Sequence, residues 1–316
     1  MVSGRICVIG SLNVDLTVGV SRFPLPGETL TGRSFDTFTG GKGGNQAIAA
    51  ARLGADVYMV GCVGEDANGA HYLQELERGG VDARRVARVE EAPTGVALIE
   101  VDASGENRIV VVPGANHCLD RAAIDRALPT ISSCGILLMQ LEVPLDSVLY
   151  AATVARQNGL TVISDPAPAQ PLSDALLALC DFITPNEHEL NALTGLPSDA
   201  EQEAIDACRQ LIERGARAVL NKRGGRGALL VTSDGAWAVP GYKVEAIDTT
   251  AAGDTFNAGF AVGLSLGMGL LDAVRLANAA GALSVTALGA QGAMPSFQRA
   301  VELCGNDLGA PSVPIF

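Results

Sequence analysis

The strongest constraint on this chain is a regular alternation of short apolar runs with helical patterns. The runs are Arg5 to Gly10, Tyr58 to Val63, Ile136 to Gln140, Thr161 to Asp165, Phe182 to Pro185 and Ala218 to Asn221. Each is apolar nearly throughout, as a strand covered on both faces must be. Helical patterns separate them at Asn45 to Leu53, Ala70 to Arg78, Leu145 to Gln157, Asp174 to Leu179 and Glu201 to Arg214. Such alternation predicts a three-layer α/β/α fold with a mostly parallel central sheet. The last third changes character. Strands are expected at Ala228 to Thr232, Trp237 to Pro240 and Val244 to Asp248, followed by long helices near Gly253 to Leu266 and Leu270 to Thr286.

Two segments do not belong to that sheet. Asp15 to Val20 and Glu28 to Thr39 alternate around Phe23 to Gly27, and Thr94 to Asp102 pairs with Asn107 to Pro113 around Ala103 to Glu106. Four short strands bury little area alone, so they are expected to form a small lid, covered by a partner subunit. The 316 residues are therefore expected to form one domain, 1–316, with lid strands inserted at about 13–39 and 94–113.

Composition narrows the function. The formal charge of −13 argues against a nucleic-acid or anionic-membrane surface, while leaving room for a local anion site. The uncharged stretches Thr255 to Leu271 and Leu276 to Gln298 carry too many glycines and polar residues for spanning helices. The N-terminus has no signal-peptide pattern. The 7 cysteines are scattered without a C-x-x-C pair, as expected of reduced thiols in a cytoplasmic protein. The 3 histidines, His71, His117 and His188, lack metal-ligand spacing. Glycine, 37 residues, exceeds the usual share of about 7% and points to tight turns and close approach of backbone to ligand.

In a parallel α/β sheet, ligands sit beyond the carboxyl ends of the strands. The polar residues there are Asn13, Asp15, Glu142, Asp165, Asn186, Glu189, Asn221 to Gly227 and Asp248 to Asp254. They suit a hydroxyl-rich or phosphate-bearing ligand. Gly40 to Asn45 is a glycine loop before a helix, with Lys42 as local charge and Asn45 as a bidentate amide. It is not a P-loop, since Gly43 stands where Ser or Thr is required, and Gly10 to Asn13 lacks the dinucleotide fingerprint. The run Asp248 to Asn257 is more specific. Its small residues Ala251, Ala252 and Gly253 let successive N–H groups converge on one anion at a helix N-terminus. An acidic residue beside that hole, Asp254, would repel a phosphate unless it accepted a proton. The loop Asn221 to Gly227 is basic and glycine-rich, as a phosphate-covering loop would be. Asn186 and Glu189 read equally well as a helix cap.

These motifs resemble the PfkB-type carbohydrate kinases, and the ribokinase branch among them. The resemblance rests on Gly10 to Asp15, Pro26 to Thr29, Gly40 to Gln46 and Asp248 to Asn257. Thr94 to Ala97, Met139 to Glu142, Pro166 to Ala169 and Ile183 to Glu187 lie between them in the family's order. It covers about Arg5 to Pro295 and implies a ribokinase-like α/β/α fold with a β-sheet lid. It implies ATP-dependent phosphorylation of D-ribose at the 5-hydroxyl, or of deoxyribose, another sugar or a nucleoside. A sugar-binding regulator without catalysis is disfavoured by the intact Asp254 motif. Asn13, Asp15, Gly41, Lys42, Asn45, Glu142 and Asp254 match the sugar contacts. Asp254 matches the catalytic base, and Ala251, Ala252 and Gly253 the anion hole. Asn186, Glu189, Lys222, Gly224, Gly227 and Asn278 match nucleotide-side positions, with Mg²⁺ carried on ATP. Asp248, Thr250, Ser284, Ala287, Gly289 and Ala293 match a site for K⁺. The family's pairing of lids implies a homodimer. Lys222, Asn278 and Asp165 depart from the commoner family residues at their positions.

Overall fold

The computed structural model describes residues 4–310, 314 and 315. Its centre is a nine-stranded sheet. The strands are β1 (Arg5–Ile9), β4 (Asp56–Gly64), β5 (Val81–Val89), β8 (Ile136–Met139), β9 (Thr161–Ser164), β10 (Phe182–Ile183), β11 (Ala218–Lys222), β12 (Ala228–Thr232) and β13 (Gly235–Val239). Their spatial order is β13-β12-β11-β10-β9-β8-β1-β4-β5. All neighbours run parallel except the hairpin pairs β11–β12 and β12–β13.

Strand alternation sends side chains into two separate cores. Cys7 and Ile9 of β1 join one, and Ile6 and Val8 join the other, all fully buried. The first core is closed by α3 (Arg121–Ile131), α4 (Leu145–Gln157), α5 (Asp174–Leu177), α6 (Glu187–Thr194) and α7 (Glu201–Glu213). The second is closed by α1 (Lys42–Arg52), α2 (Ala67–Arg78), α8 (Ala252–Ser265), α9 (Leu270–Ser284) and α10 (Phe297–Cys304). This is the three-layer arrangement that the apolar runs require. Side-chain caps start several helices: Asp66 accepts from Gly69 N, and Asp120 from Ala123 N.

The remaining strands, β2 (Asn13–Gly19), β3 (Ser34–Gly40), β6 (Gly95–Val101) and β7 (Asn107–Val112), form a second sheet in the order β3-β2-β6-β7. Its outer strand β7 is exposed along its whole length.

Some expectations need correction. Val244 to Asp248 is not a strand. Gly241 is pressed against Gly225 and Gly227, which turns the chain away from β13, and the Ile247 and Asp248 amides end on the Val285 carbonyl. Glu28 to Thr39 is extended only from Ser34. Strand β5 was not expected, because Asp82, Arg84, Arg85 and Arg88 interrupt its apolar pattern. Such charges are usual on a sheet edge. Helices α3 and α10 carry no expectation from the sequence, while α6 starts from its Asn186 cap, as the cap reading of Asn186 and Glu189 has it.

Candidate active site

The chain makes β1, moves outward through β4 and β5, and then returns to the other side of β1 with β8. The order reverses between β1 and β8, and ligand crevices open at such a switch point. The residues after β1, β8 and β9 converge there with the first turns of α1 and α8.

Helix α1 begins in contact with the chain leaving β1. Gly41 caps it at φ 80°, a conformation open to glycine. A Cβ on Gly43 would lie 2.6 Å from Gly10 C and Ser11 N, so the loop needs glycine there. The Glu142 carboxylate accepts from Ser11 Oγ at 2.5 Å and from the Lys42 amide at 3.2 Å. Asn13 is buried, and its Oδ1 accepts from Asn116 Nδ2 at 2.8 Å. Asp15 follows on β2, half-buried.

Asp254 lies in the first turn of α8 and is only 6% exposed. Its two oxygens accept from Asn45 Nδ2 and Gln46 Nε2, each at 3.0 Å. The Gln46 amide also donates to Asp165 Oδ2 at 3.0 Å, and its own oxygen accepts from Gln140 Nε2 at 2.6 Å. Burial pushes the Asp254 carboxyl up to about 6; Lys42 and the two amides pull it down, while Asp165 adds to the rise. Burial raises Asp15 to about 7, helped by Glu142 and Asp254. Burial opposes the charge on Lys42, but Asp254, Asp165, Glu142 and Glu189 outweigh it and hold the ammonium firmly protonated. The cluster therefore offers a raised carboxylate for proton transfer beside a fixed cation.

Ala251 caps α8 at φ 59°, the left-handed region, and no other non-glycine among the described residues has positive φ. A side chain there costs about 1 kcal/mol. That strained turn brings Ala251, Ala252 and Gly253 to the wall of a polar cavity of about 320 Å³, with the Ala252 amide donating to the Thr249 carbonyl at 3.2 Å. Lys42, Asn186, Glu189, Lys222 and Asp254 also line it. Next to it is a more apolar cavity of about 620 Å³, bounded by Gly224, Gly227, Tyr242, Phe256 and Asn278. Lys222 and Gly253 line both. Asn278 donates to the carbonyls of Val239 and Pro240 at 3.0 and 3.1 Å, which fixes the end of β13 as a wall. Asn186 and Glu189 form a reciprocal capping box on α6, at 2.8 and 2.7 Å, and line the polar cavity as well.

Beyond the α8 turn, Asp248 ties two loops together. Its oxygens accept from the amides of Thr250 and Gly289, each at 2.9 Å. Burial favours its neutral form, but the bonds from Thr250 and Gly289 prevail and leave the carboxyl below its ordinary value. Ser284 is buried and donates to the Gly281 carbonyl at 2.9 Å. Ala287 is exposed and Ala293 half-buried on the following loop. No group of three or more His, Cys, Asp and Glu residues suited to a metal occurs among the described residues. A cation at this loop would meet oxygen donors, among them the Asp248 carboxylate and backbone carbonyls, as a hard, weakly hydrated monovalent ion prefers. The histidines are all exposed, and the cysteines are free thiols, buried except for Cys118.

Several residues at the site were not singled out from sequence. Gln46 lay unused inside a noted motif. Gln140 likewise sits inside the motif Met139 to Glu142, whereas Asn116 and Gln291 carry no local signal. Gln291 accepts from Thr39 Oγ1 at 2.7 Å and donates to Asn45 Oδ1 at 3.2 Å, joining the small sheet to the Asp254 cluster.

A switch-point crevice with a buried carboxylate beside an amide-lined helix terminus defines a phosphotransferase acting on an alcohol. The chain belongs to the pfkB family of carbohydrate kinases, which it matches over residues 3–296. It is 43% identical to a ribokinase of Haemophilus influenzae over 93% of this chain and 96% of that protein. It is 38% identical to a deoxyribokinase of Salmonella typhimurium, over 93% and 96%. A solved structure of Arabidopsis thaliana ribokinase complexed with ribose and ATP superposes with a TM-score of 0.91 at 33% identity, covering 96% of this chain and 99% of that one. No helix among the described residues is long and apolar enough to cross a membrane.

Proposed function

We propose that the chain transfers the γ-phosphoryl group of ATP to the 5-hydroxyl of D-ribose, giving ribose 5-phosphate and ADP. The observation that carries this reading is the Asp254 carboxylate, held by Asn45 and Gln46 between a polar crevice and the strained amide turn of α8. The ribokinase relative at 43% identity supports the choice of sugar.

In this reading Asn13, Asp15, Gly41, Lys42, Asn45 and Glu142 bind the sugar hydroxyls. Asp254 accepts the hydroxyl proton as the sugar oxygen bonds to the γ-phosphorus. The bridging P–O bond breaks, and its electron pair leaves on ADP. Amides of Ala251, Ala252 and Gly253 receive the charge developing on the equatorial oxygens. Lys222, Gly224, Gly227 and Asn278 line the nucleotide cavity. Mg²⁺ on the ATP phosphates would neutralise charge, its water shell ordered by Asn186 and Glu189. K⁺ would sit among carbonyls near Asp248, Thr250, Ser284, Ala287, Gly289 and Ala293 and would hold the anion hole in place.

The small sheet serves as a lid inserted into a single domain, excluding water and aligning the hydroxyl. Phe35 and Val110, 64% and 62% exposed, give it an apolar face suited to the lid of a second copy, which makes the enzyme a homodimer. Its free thiols fit a cytoplasmic setting. The Salmonella relative favours one second reading, deoxyribose, which differs by a single hydroxyl. An ATP-consumption assay with ribose, deoxyribose, fructose and nucleosides, with and without K⁺, separates these readings. Ribose is expected to give the highest kcat/KM, and K⁺ to raise it. A preference for deoxyribose would transfer the assignment.

A further inference from the structure

Lys222 ends β11, so the root of its side chain is fixed by the sheet, and its amide donates to the Pro185 carbonyl at 2.8 Å. Its ammonium lies 2.7 Å from Asp165 Oδ1 and 3.9 Å from Glu189 Oε2. The ammonium also lies over the anion hole: a Cβ built on Gly253 would meet nothing within 4 Å except Lys222 Nζ, at 3.6 Å, and Lys222 Cε. The other Asp165 oxygen shares the Gln46 amide with Asp254. Gln140 orients that amide, so both of its hydrogens face carboxylates. Asp165 thus touches, through its two oxygens, a cation at the anion hole and the hydrogen-bond partner of the base.

We infer that Asp165 and Lys222 form a movable ion pair: Asp165 holds the ammonium over the anion hole, and an arriving triphosphate draws Lys222 onto the γ-phosphoryl group. The inference rests on the kinase reading above and deepens it. A buried pair is costly to break unless a stronger partner takes the freed charge, and a polyanion is such a partner. Lysine suits the task because its charge is compact and its stem flexible. Lys222 is then a catalytic residue that contacts the transferred group, and Asp165 is a positioning residue. The charged and titratable groups facing Asp254 are Lys42 from α1, Asp15 from β2, Tyr72 from α2 and Asp165 after β9. When Lys222 leaves, Asp165 acts on Asp254 uncompensated, so the proton affinity of the base rises as the phosphoryl group arrives.

The test uses the full chain with Lys222→Met, Asp165→Asn and the double substitution. Binding of ADP and of the non-hydrolysable triphosphate AMP-PNP is measured by calorimetry without sugar. Lys222→Met is expected to weaken AMP-PNP about tenfold and to leave ADP within about twofold, with kcat down about 100-fold. Equal losses for both nucleotides would make Lys222 an ordinary nucleotide contact and overturn the inference. The Asp254 carboxyl is followed by ¹³C NMR, assigned with Asp254→Asn. Its midpoint is expected to rise in Lys222→Met, to fall in Asp165→Asn and to return towards wild type in the double variant. A midpoint unmoved in all three variants would also overturn it. Should Asp165→Asn fail to fold, Asp165→Glu is expected to keep the high midpoint while lowering kcat, and unchanged kcat there would count against positioning. If the wild type phosphorylates a sugar other than ribose, the substrate reading falls, and these binding and titration results still decide the pair.

Discussion

Asn116 donates through Nδ2 to Asn13 Oδ1 at 2.8 Å, while its own Oδ1 accepts from the Leu12 amide at 2.8 Å. The second bond fixes which way the Asn116 amide faces. Asn13 Oδ1 is therefore occupied, and its Nδ2 is the group left to offer a ligand. Removing Asn116 leaves Asn13 free to turn. Asn116→Ala is expected to raise KM for the sugar about tenfold, with KM for ATP within about twofold, since leaving a buried polar group without its partner costs about 1–3 kcal/mol. Steady-state kinetics with each substrate varied in turn checks the split.

Asp254→Asn is expected to lower kcat by about 10³-fold or more while sugar binding survives. In the wild type the base must be ionised, and its carboxyl stands at about 6. Activity should therefore fall as the pH drops through about 6, with kcat/KM following a single ionisation on the acid side. Initial rates across that range, beside calorimetric sugar binding to the variant, decide it.

Asp15 gives a stability prediction with a definite sign. Its folded value of about 7 lies above its ordinary 3.8. Between those limits the folded protein binds the proton and the unfolded chain releases it, so stability declines as pH rises through that window. Asp15→Asn removes this loss. Urea unfolding of both proteins should show the variant gaining on the wild type from about pH 4 to about pH 7, then holding a constant margin. A margin that does not change with pH would contradict the burial of Asp15.

Strand β7 carries Val110 at 62% exposure beside its β6 partner Leu98 at 48% on one face of the small sheet. A second copy covering this face is the proposed arrangement. Val110→Glu is expected to convert a dimer to a monomer in sedimentation equilibrium and to raise KM for the sugar, because the lid loses its support. A wild type that sediments as a monomer would refute the pairing.

Much of the architecture was legible in the primary structure. Helix α4 has the predicted bounds, Leu145 to Gln157, because its apolar spacing is strong and Pro144 precedes it. Strands β1, β4, β8, β9 and β11 follow their apolar runs closely. Strand β5 was hidden because an edge strand carries charge where a central one cannot. The segment after Pro240 reads as a strand from its β-branched residues, but Val244 lines a cavity, Ile247 is exposed, and neither pairs with a strand.

The sequence by itself determined the class of fold and the regions where ligands could bind. Periodicity decides which faces must be buried, and small residues decide where backbone amides can crowd together. The tertiary structure alone decided how the polar groups are wired. Asn45 lies 209 residues from Asp254, and Gln46 lies 119 from Asp165, yet each pair is in contact. Strand order at the β1–β8 switch point brings them together. A hydrogen bond between distant side chains leaves no periodic trace in either local segment, so only the folded chain reveals the network around Asp254.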